Sequence, residues 1–198
     1  MTLWRLLSAF LILTLGLATA DEQTSAAGEA HSAAYRSIQQ KLAYLKLNAA
    51  KPHPDPKPVE LTEPEVNAYF AEGGVKLPKG VSQVRLASRP GVIDGHARVD
   101  FEPIMQGRNP NNPLYGLFSG QHDVHVVAGA VGSNGVATLQ VQTVEMDGAE
   151  VPRWALEFFV QRYLTPRYPN VGMSSTFKMP LQIDSATVET GRVRLVQR

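Results

Sequence analysis

Histidines are the first residues to consider for chemistry, because imidazole can bind a metal ion or transfer a proton. His122 and His125 lie three residues apart, and the sequence around them predicts a strand. Positions i and i+3 of a strand project to opposite faces, so the two rings would not meet at one ion. The other three histidines have no ligand-like neighbours, and the chain has no cysteine. We therefore expect surface histidines, with no metal ion and no other cofactor.

The remaining polar residues that could act in catalysis form no recognisable motif. Ser119 lies in Phe-Ser-Gly-Gln and lacks the Gly-x-Ser-x-Gly elbow of a hydrolase. Glu145, Asp147 and Glu150 could supply the two carboxylates of a glycosidase, but turns that lead into helices collect acidic residues anyway. The evenly spaced glycines within residues 129–135 precede a strand pattern and no helix that could hold a phosphate. We predict a protein that is not an enzyme.

An apolar helix is more informative than these polar residues. Residues 153–164 predict a helix on which Trp154 and Phe158 lie four residues apart, as do Phe159 and Tyr163. Packing on a sheet needs only one apolar stripe of a helix. A second stripe indicates contact with the N-terminal helix, another subunit or an apolar ligand, or else a core helix covered on both sides.

A loop that is unusually apolar is predicted within residues 103–121. It is rich in Asn, Gly and Pro, yet it contains Leu114, Tyr115, Leu117 and Phe118. Loops are ordinarily polar and lie on the surface. The apolar residues are compatible with a lid, with a tip that contacts a membrane, or with a loop packed on the core.

The rest of the pattern predicts an α+β domain. A helix over residues 33–50 is followed by a second helix that begins after Thr62, where Thr62 and Glu65 match a capping box. Alternating apolar residues predict strands at residues 81–87, 92–101, 123–130, 136–146, 182–189 and 192–197. We expect a curved antiparallel sheet of about six strands with two helices packed on one face, preceded by the N-terminal helix.

The first twenty residues predict a cleavable export signal. Arg5 precedes an apolar run at residues 6–17, and Ala18-Thr19-Ala20 supplies the small residues of a cleavage site. The run is shorter than the ~20 apolar residues of a membrane-spanning helix, although an uncleaved anchor is the alternative. We expect a periplasmic or secreted protein with a signal at residues 1–20, a mobile leader, helix and Pro-rich linker at residues 21–58, and an α+β domain at residues 59–198.

Charge and cysteine content exclude several classes of partner. Removing the signal takes away one of the 19 basic residues and leaves 18 basic against 18 acidic ones. A neutral chain does not favour binding to nucleic acid, which calls for basic excess. Without cysteine there is neither a disulfide framework nor a lipid-modified cysteine.

Two short motifs resemble a loose group of exported bacterial domains of unknown or lipid-related function. They are LTEPEVN at residues 61–67 and QTVEMDGAEVP at residues 142–152, which runs into the aromatic helix. Some members of that group resemble tubular lipid-binding (TULIP-like) domains, in which a long helix lies in a curled sheet and shields an apolar groove. The resemblance extends over residues 59–198. This chain departs from the group in its long loop at residues 103–121. The resemblance implies a binding fold and supplies no set of catalytic residues.

These observations predict an exported, non-enzymatic protein that binds an apolar or amphipathic ligand such as a lipid. The predicted groove lies between the sheet and the helix at residues 153–164, with the loop near its mouth. Its predicted lining is Trp154, Phe158, Phe159, Tyr163, Leu114, Tyr115, Leu117 and Phe118. The alternative is a structural or assembly factor that binds a protein partner through the apolar helix. Contact with a membrane, without a spanning segment after cleavage, is compatible with either.

Overall fold

The computed structural model describes residues 31–105, 118–166 and 172–198. They form three helices and a large antiparallel sheet of nine strands that does not close on itself, so the predicted mixed class is confirmed. The helices are α1 (Ala33–Ala49), α2 (Glu63–Ala71) and α3 (Arg153–Phe159), and α3 continues as a π-helical turn at Val160–Leu164. A single helical turn lies at Glu102–Met105.

All six predicted strands are present, and three further strands raise the expected number from about six to nine. The strands are β1 (Val59–Thr62), β2 (Val81–Arg89), β3 (Val92–Asp100), β4 (Gln121–Ser133), β5 (Val136–Met146), β6 (Ala149–Glu150), β7 (Ser174–Lys178), β8 (Ile183–Glu189) and β9 (Arg192–Gln197). The three that were not predicted are β1, β6 and β7. They have only two to five residues each, which is too short for an alternating pattern to stand out.

Strand β4 connects the parts of the sheet. The main order is β1-β9-β8-β4-β3-β2, and β5 pairs with β4 as well as with β6 and β7. Most of β4 lies between β3 and β5, whereas near its end Gly132 lies opposite Ala186 of β8. The long strand thus joins the β2–β3 hairpin and the β8–β9 hairpin into one sheet.

The register separates an apolar face from a polar face, because directly opposed residues of paired strands share a face. One row of opposed residues on the apolar face crosses six strands: Phe177, Ala137, Gly132, Ala186, Leu195 and Val59. A row on the polar face crosses four strands: Arg85, His96, His125 and Glu145. We use the names apolar face and polar face for these two sides below.

Two hydrophobic cores involve the helices. The first contains Ile38 and Leu45 of α1 together with Val66 and Phe70 of α2, packed with strand residues such as Leu195. The second forms around α3 and contains Phe101, Phe118, Met146, Val151, Ala155, Phe159 and Tyr163.

A buried polar cluster attaches α1 to the sheet. The amide of Asn48 donates to Oε1 of Gln197 over 2.8 Å, and Nε2 of Gln197 donates to the carbonyl oxygens of Leu45 and Leu181 over 2.8 and 2.7 Å. Asn48 also exchanges hydrogen bonds with the backbone of Asp55 in the Pro-rich run. Helix α1 therefore shares a core with the sheet although that run separates them in sequence. The division into a leader and a domain remains a prediction.

Side chains near α2 also bind the outer edges of the sheet. On β2, Asn67 bonds to the backbone of Leu86, and Glu63 accepts from the N–H of Ser88. On β1, Lys41 donates to the carbonyl of Glu60, and the N–H of Thr62 donates to Glu65. These bonds occupy backbone groups that would otherwise be free to pair with another chain.

Candidate functional site

An apolar pocket lies between α2 and the apolar face of the sheet. It has a volume of about 100 Å³ and opens partly to solvent. Its walls include Val66 of α2 and residues from eight strands, most of them aliphatic. We call it the α2 pocket. Its lining includes Leu61, Leu86, Ile93, Ala130, Gly132, Ala137, Leu139, Phe177, Met179, Ala186, Val188, Val193 and Leu195.

Small residues create the space in the α2 pocket. Ala130, Gly132, Ala137 and Ala186 line it and leave a shallow hollow where larger side chains would fill the apolar face. Strands β4 and β8 approach closely at Gly132, where a Cβ would lie 2.8 Å from the Cβ of Ala186. Near α3, by contrast, the apolar face carries larger residues such as valine and methionine, which pack against the helix.

The polar residues at the pocket are already paired with protein groups. Glu63 accepts hydrogen bonds from both the N–H and the hydroxyl of Ser88. Arg192 lies 2.7 Å from a carboxylate oxygen of Glu189 and 3.4 Å from one of Glu60. The hydrogen bond from Arg192 lowers the pKa of Glu189, which keeps this pair charged at neutral pH. The lining thus offers hydrocarbon contact to a ligand and commits its charges elsewhere.

The structure describes five of the eight predicted site residues, and it does not bring these five together in one groove. Trp154 and Phe158 are 65% and 43% exposed, whereas Phe159 and Tyr163 are buried. Phe118 is buried with its ring centroid 4.5 Å from that of Phe159. None of these five lines the α2 pocket. The other three predicted residues, Leu114, Tyr115 and Leu117, lie outside the described residues.

The expected groove beside α3 is therefore a packed aromatic core as far as the described residues show. The rings of Phe101, Phe118, Phe159 and Tyr163 contact one another with centroids 4.5–5.9 Å apart. Aromatic rings at these separations pack favourably in edge-on and offset arrangements. The apolar surplus of the helix signalled this core. The α2 pocket has only a weak sequence signal, the alternate small residues Ala130 and Gly132 of β4, which do not reveal the strands that complete its wall.

One Ser–His–Asp set comes together in space without the geometry of a catalytic triad. Nδ1 of His122 lies 2.7 Å from Oδ2 of Asp147, and its Nε2 lies 2.7 Å from the backbone oxygen of Ser119. A triad requires the serine hydroxyl at that nitrogen. The hydrogen bond to Asp147 raises the pKa of His122, which favours a protonated ring that donates at both nitrogens. In this arrangement the two ring nitrogens face Oδ2 of Asp147 and the Ser119 carbonyl oxygen, and neither faces the Ser119 hydroxyl.

The histidines on the strands are positioned as the strand pattern predicts. His122 packs edge-on against Phe101, whereas His125 lies on the polar face and stacks on His96 with ring centroids 4.1 Å apart. His125 also lies 3.3 Å from a Glu145 oxygen and 3.6 Å from one of Asp94. No group of three or more His, Cys, Asp or Glu side chains within the described ranges is arranged to hold a metal ion.

Comparisons of the chain with protein-family models, with curated proteins and with solved structures found no match. Within residues 31–105, 118–166 and 172–198, no helix combines the length and the hydropathy needed to span a membrane.

Proposed function

We propose that this chain is an exported, non-enzymatic protein that binds an apolar or amphipathic ligand, such as a lipid, in the α2 pocket. The observation that carries the proposal is the pocket itself, a partly open hollow with an almost wholly aliphatic lining. Ligand sites are typically concave and apolar, with a few polar groups at defined positions.

The proposed architecture is a curved sheet with helices packed on one face. Residues of the apolar face occur in both hydrophobic cores, for example Leu195 in the first and Met146 in the second. In this arrangement α1 and α2 cover one end of the apolar face and α3 covers the other. The α2 pocket is the part that they leave open, which is the role that the TULIP-like resemblance gives to an apolar groove.

The size of the α2 pocket suits only part of an extended ligand. An apolar cavity of about 150 Å³ holds one benzene molecule. The α2 pocket, at about 100 Å³, is smaller, so its enclosed part would take the end of an acyl chain while the rest extends through the opening. Because Glu63 and Arg192 are paired at the pocket, the polar end of the ligand would stay near solvent.

The site of action that we propose is the periplasm or the exterior of the cell. The support is the signal-like pattern of residues 1–20. A second candidate, a structural or assembly factor that binds a protein partner, is favoured by the exposure of Trp154 and Phe158 on α3.

A fluorescent fatty acid such as parinaric acid tests the pocket directly. Ala130→Phe would fill the α2 pocket, and the matched control Gln140→Phe places the same ring on the polar face of β5. We expect at least tenfold weaker binding in Ala130→Phe and unchanged binding in Gln140→Phe, with circular dichroism showing that both are folded. Leu139→Ala, which enlarges the pocket, should retain binding.

Equal affinity of Ala130→Phe and the unsubstituted chain would contradict the proposal. Native mass spectrometry before and after delipidation supplies a second measurement. The absence of any co-purifying lipid, combined with no binding of the fluorescent acid, would favour the assembly-factor alternative.

A further inference from the structure

The outer side of α3 carries two large aromatic residues that face solvent. Trp154 and Phe158 lie four residues apart, so they are neighbours on the helix surface. Their exposed fractions, 65% and 43%, contrast with buried Ala155 and Phe159 on the inner side of the same helix. We call this pair the aromatic patch.

The helix that carries the aromatic patch is packed on its inner side against the second core. Phe159 and Tyr163 continue inward from α3 into the second core, where the Phe159 ring centroid lies 5.9 Å from that of Phe101 and 5.2 Å from that of Tyr163. The outward residues therefore project from a helix whose other side is buried. Two adjacent exposed aromatic residues form one contiguous apolar surface, whereas single scattered apolar residues are ordinary on protein surfaces.

The area of the patch is small for a protein interface. If a whole aromatic side chain presents about 200–250 Å², the two exposed fractions amount to roughly 250 Å². A stable protein–protein interface buries about 800 Å² on each partner. Within the described residues, the patch reaches about a third of that area. Insertion into a bilayer, in contrast, does not need a partner surface of complementary shape.

The charges beside the patch suit the headgroup region of a bilayer. Arg153 and Arg162 are exposed near the two ends of the helical segment. Arg153 also pairs with Glu157 over 2.9 Å. Within residues 153–164, two arginines against one glutamate give a net charge of +1, and exposed Glu150 precedes this segment. Long arginine side chains reach polar headgroups while aromatic rings enter the apolar boundary, and tryptophan is suited to that boundary because its ring is apolar and its N–H is polar.

We propose that the aromatic patch is a membrane-contact site, at which Trp154 and Phe158 insert into the interfacial layer of a lipid bilayer. Arg153 and Arg162 lie at the level of the lipid phosphates in this arrangement. The site is distinct from the α2 pocket, since neither aromatic residue lines that pocket. A failure of ligand binding in the pocket therefore leaves this inference intact, and the reverse also holds.

Tryptophan fluorescence tests the contact at the residue itself. The chain has two tryptophans, Trp4 and Trp154, so Trp4→Phe in the full chain leaves Trp154 as the only reporter. Vesicles of phosphatidylcholine and phosphatidylglycerol in a 7:3 ratio should shift its emission to shorter wavelength. Acyl-chain-brominated phosphatidylcholine should quench it, and iodide in the solvent should quench it less than without vesicles.

A matched pair of variants separates the patch from general hydrophobicity. In the Trp4→Phe background, Phe158→Ser should reduce the quenching by brominated lipid at least threefold. Leu47→Ser removes another exposed apolar residue, 71% exposed on α1, and should leave the quenching unchanged. Because Phe158 is already partly exposed, its serine variant should remain folded, which circular dichroism verifies.

Two results would overturn the proposal. In the first, the protein sediments with vesicles while Trp154 stays accessible to iodide and unquenched by brominated lipid, which would assign membrane binding to the apolar run at residues 6–17. In the second, light scattering without lipid shows an oligomer that Phe158→Ser dissociates, which would assign the patch to a protein partner.

Discussion

The side-chain amide of Asn67 forms two hydrogen bonds with the backbone of one residue, Leu86. Nδ2 donates to the Leu86 carbonyl over 2.9 Å, and the Leu86 N–H donates to Oδ1 over 2.7 Å. The amide thereby takes the place that a neighbouring strand would occupy on the outer edge of β2. It holds α2 beside the strand residues that form one wall of the α2 pocket.

Replacing Asn67 should destabilise the fold. Asn67→Leu leaves the N–H and C=O of Leu86 without their partner, so we expect the free energy of unfolding to fall by about 1–3 kcal/mol. Urea denaturation measures this change. Ser82→Ala, which removes one long 3.4 Å hydrogen bond at the other end of β2, is the control and should change stability by less than about 0.5 kcal/mol. Equal losses in the two variants would refute a special role for Asn67.

Glu65 should make a larger contribution than an exposed ion pair. Burial raises the pKa of Glu65, but hydrogen bonds from Lys41, Ser37 and Thr62 outweigh burial and lower it overall. Glu65→Gln should therefore lower the free energy of unfolding by about 1–3 kcal/mol at pH 7. The control Glu157→Gln breaks an exposed pair with Arg153 and should cost only about 0.3–0.5 kcal/mol.

The effect of Glu65→Gln should also depend on pH. Because the folded-state pKa is lowered, the stabilising contribution is complete above the unfolded carboxyl value of about 4.3 and is lost as the pH falls through the folded-state value. The difference between the unsubstituted chain and Glu65→Gln should thus shrink in acid. Urea midpoints compared at pH 7 and pH 3 measure this, and a difference that grows in acid would contradict the pairing.

The His122–Asp147 pair should stabilise the fold in a limited pH window. The shared hydrogen bond raises the pKa of His122 and lowers that of Asp147. The histidine contribution is complete below about pH 6.5 and is lost as the pH rises through the raised value, whereas the aspartate contribution is complete above about pH 3.9. The window therefore runs from about pH 4 to about pH 6.5.

NMR titration and two variants check this assignment. Asp147→Asn should move the pKa of His122 back toward its ordinary value. His122→Asn should lower the unfolding midpoint more at pH 5.5 than at pH 9. The control is His53→Asn, at an exposed position in the Pro-rich run, and it should leave the midpoint unchanged at both pH values. An ordinary pKa of His122 in the unsubstituted chain would show that the pair with Asp147 does not stabilise the charged ring.

Two glycines of β4 provide a matched test of close packing. A Cβ on Gly132 would lie 2.8 Å from the Cβ of Ala186, whereas a Cβ on Gly129 would meet the end of the flexible Gln142 side chain at 3.2 Å. Gly132→Ala should lower the free energy of unfolding by about 1–3 kcal/mol through overpacking. Gly129→Ala should be neutral or slightly stabilising, as measured by thermal unfolding. The reverse order would contradict the close approach of β4 and β8.

Local features of this fold were predictable from the sequence. The capping box of Thr62 and Glu65 is present, and the turns at Asn134-Gly135 and Asp147-Gly148 adopt the positive φ angles that favour these residue types. Such signals involve residues close together in the chain, so a short window contains all the necessary information. The hairpin strands and the start of α2 follow from them.

The α2 pocket could not be predicted in the same way. Its wall joins Gly132 to Ala186 and Leu61 to Val193, pairs that meet only after the hairpins have assembled into one sheet. The four-residue strand β1 has no alternation long enough to reveal its pairing with β9. Apolar content alone predicted the ligand groove beside α3. A helix that fills a core and a helix that lines a groove have the same apolar pattern, so the sequence does not distinguish them.

The contact between Asn48 and Gln197, 149 residues apart in sequence, has a consequence for the order of folding. Chains are synthesised from the N-terminus, so α1 emerges long before the strand that supplies Gln197. Closing so long a loop is slow because its entropic cost is met before the contact forms. The Asn48–Gln197 contact can therefore form only after almost the whole chain has been released, and the first core, which includes Leu195, stays incomplete until then.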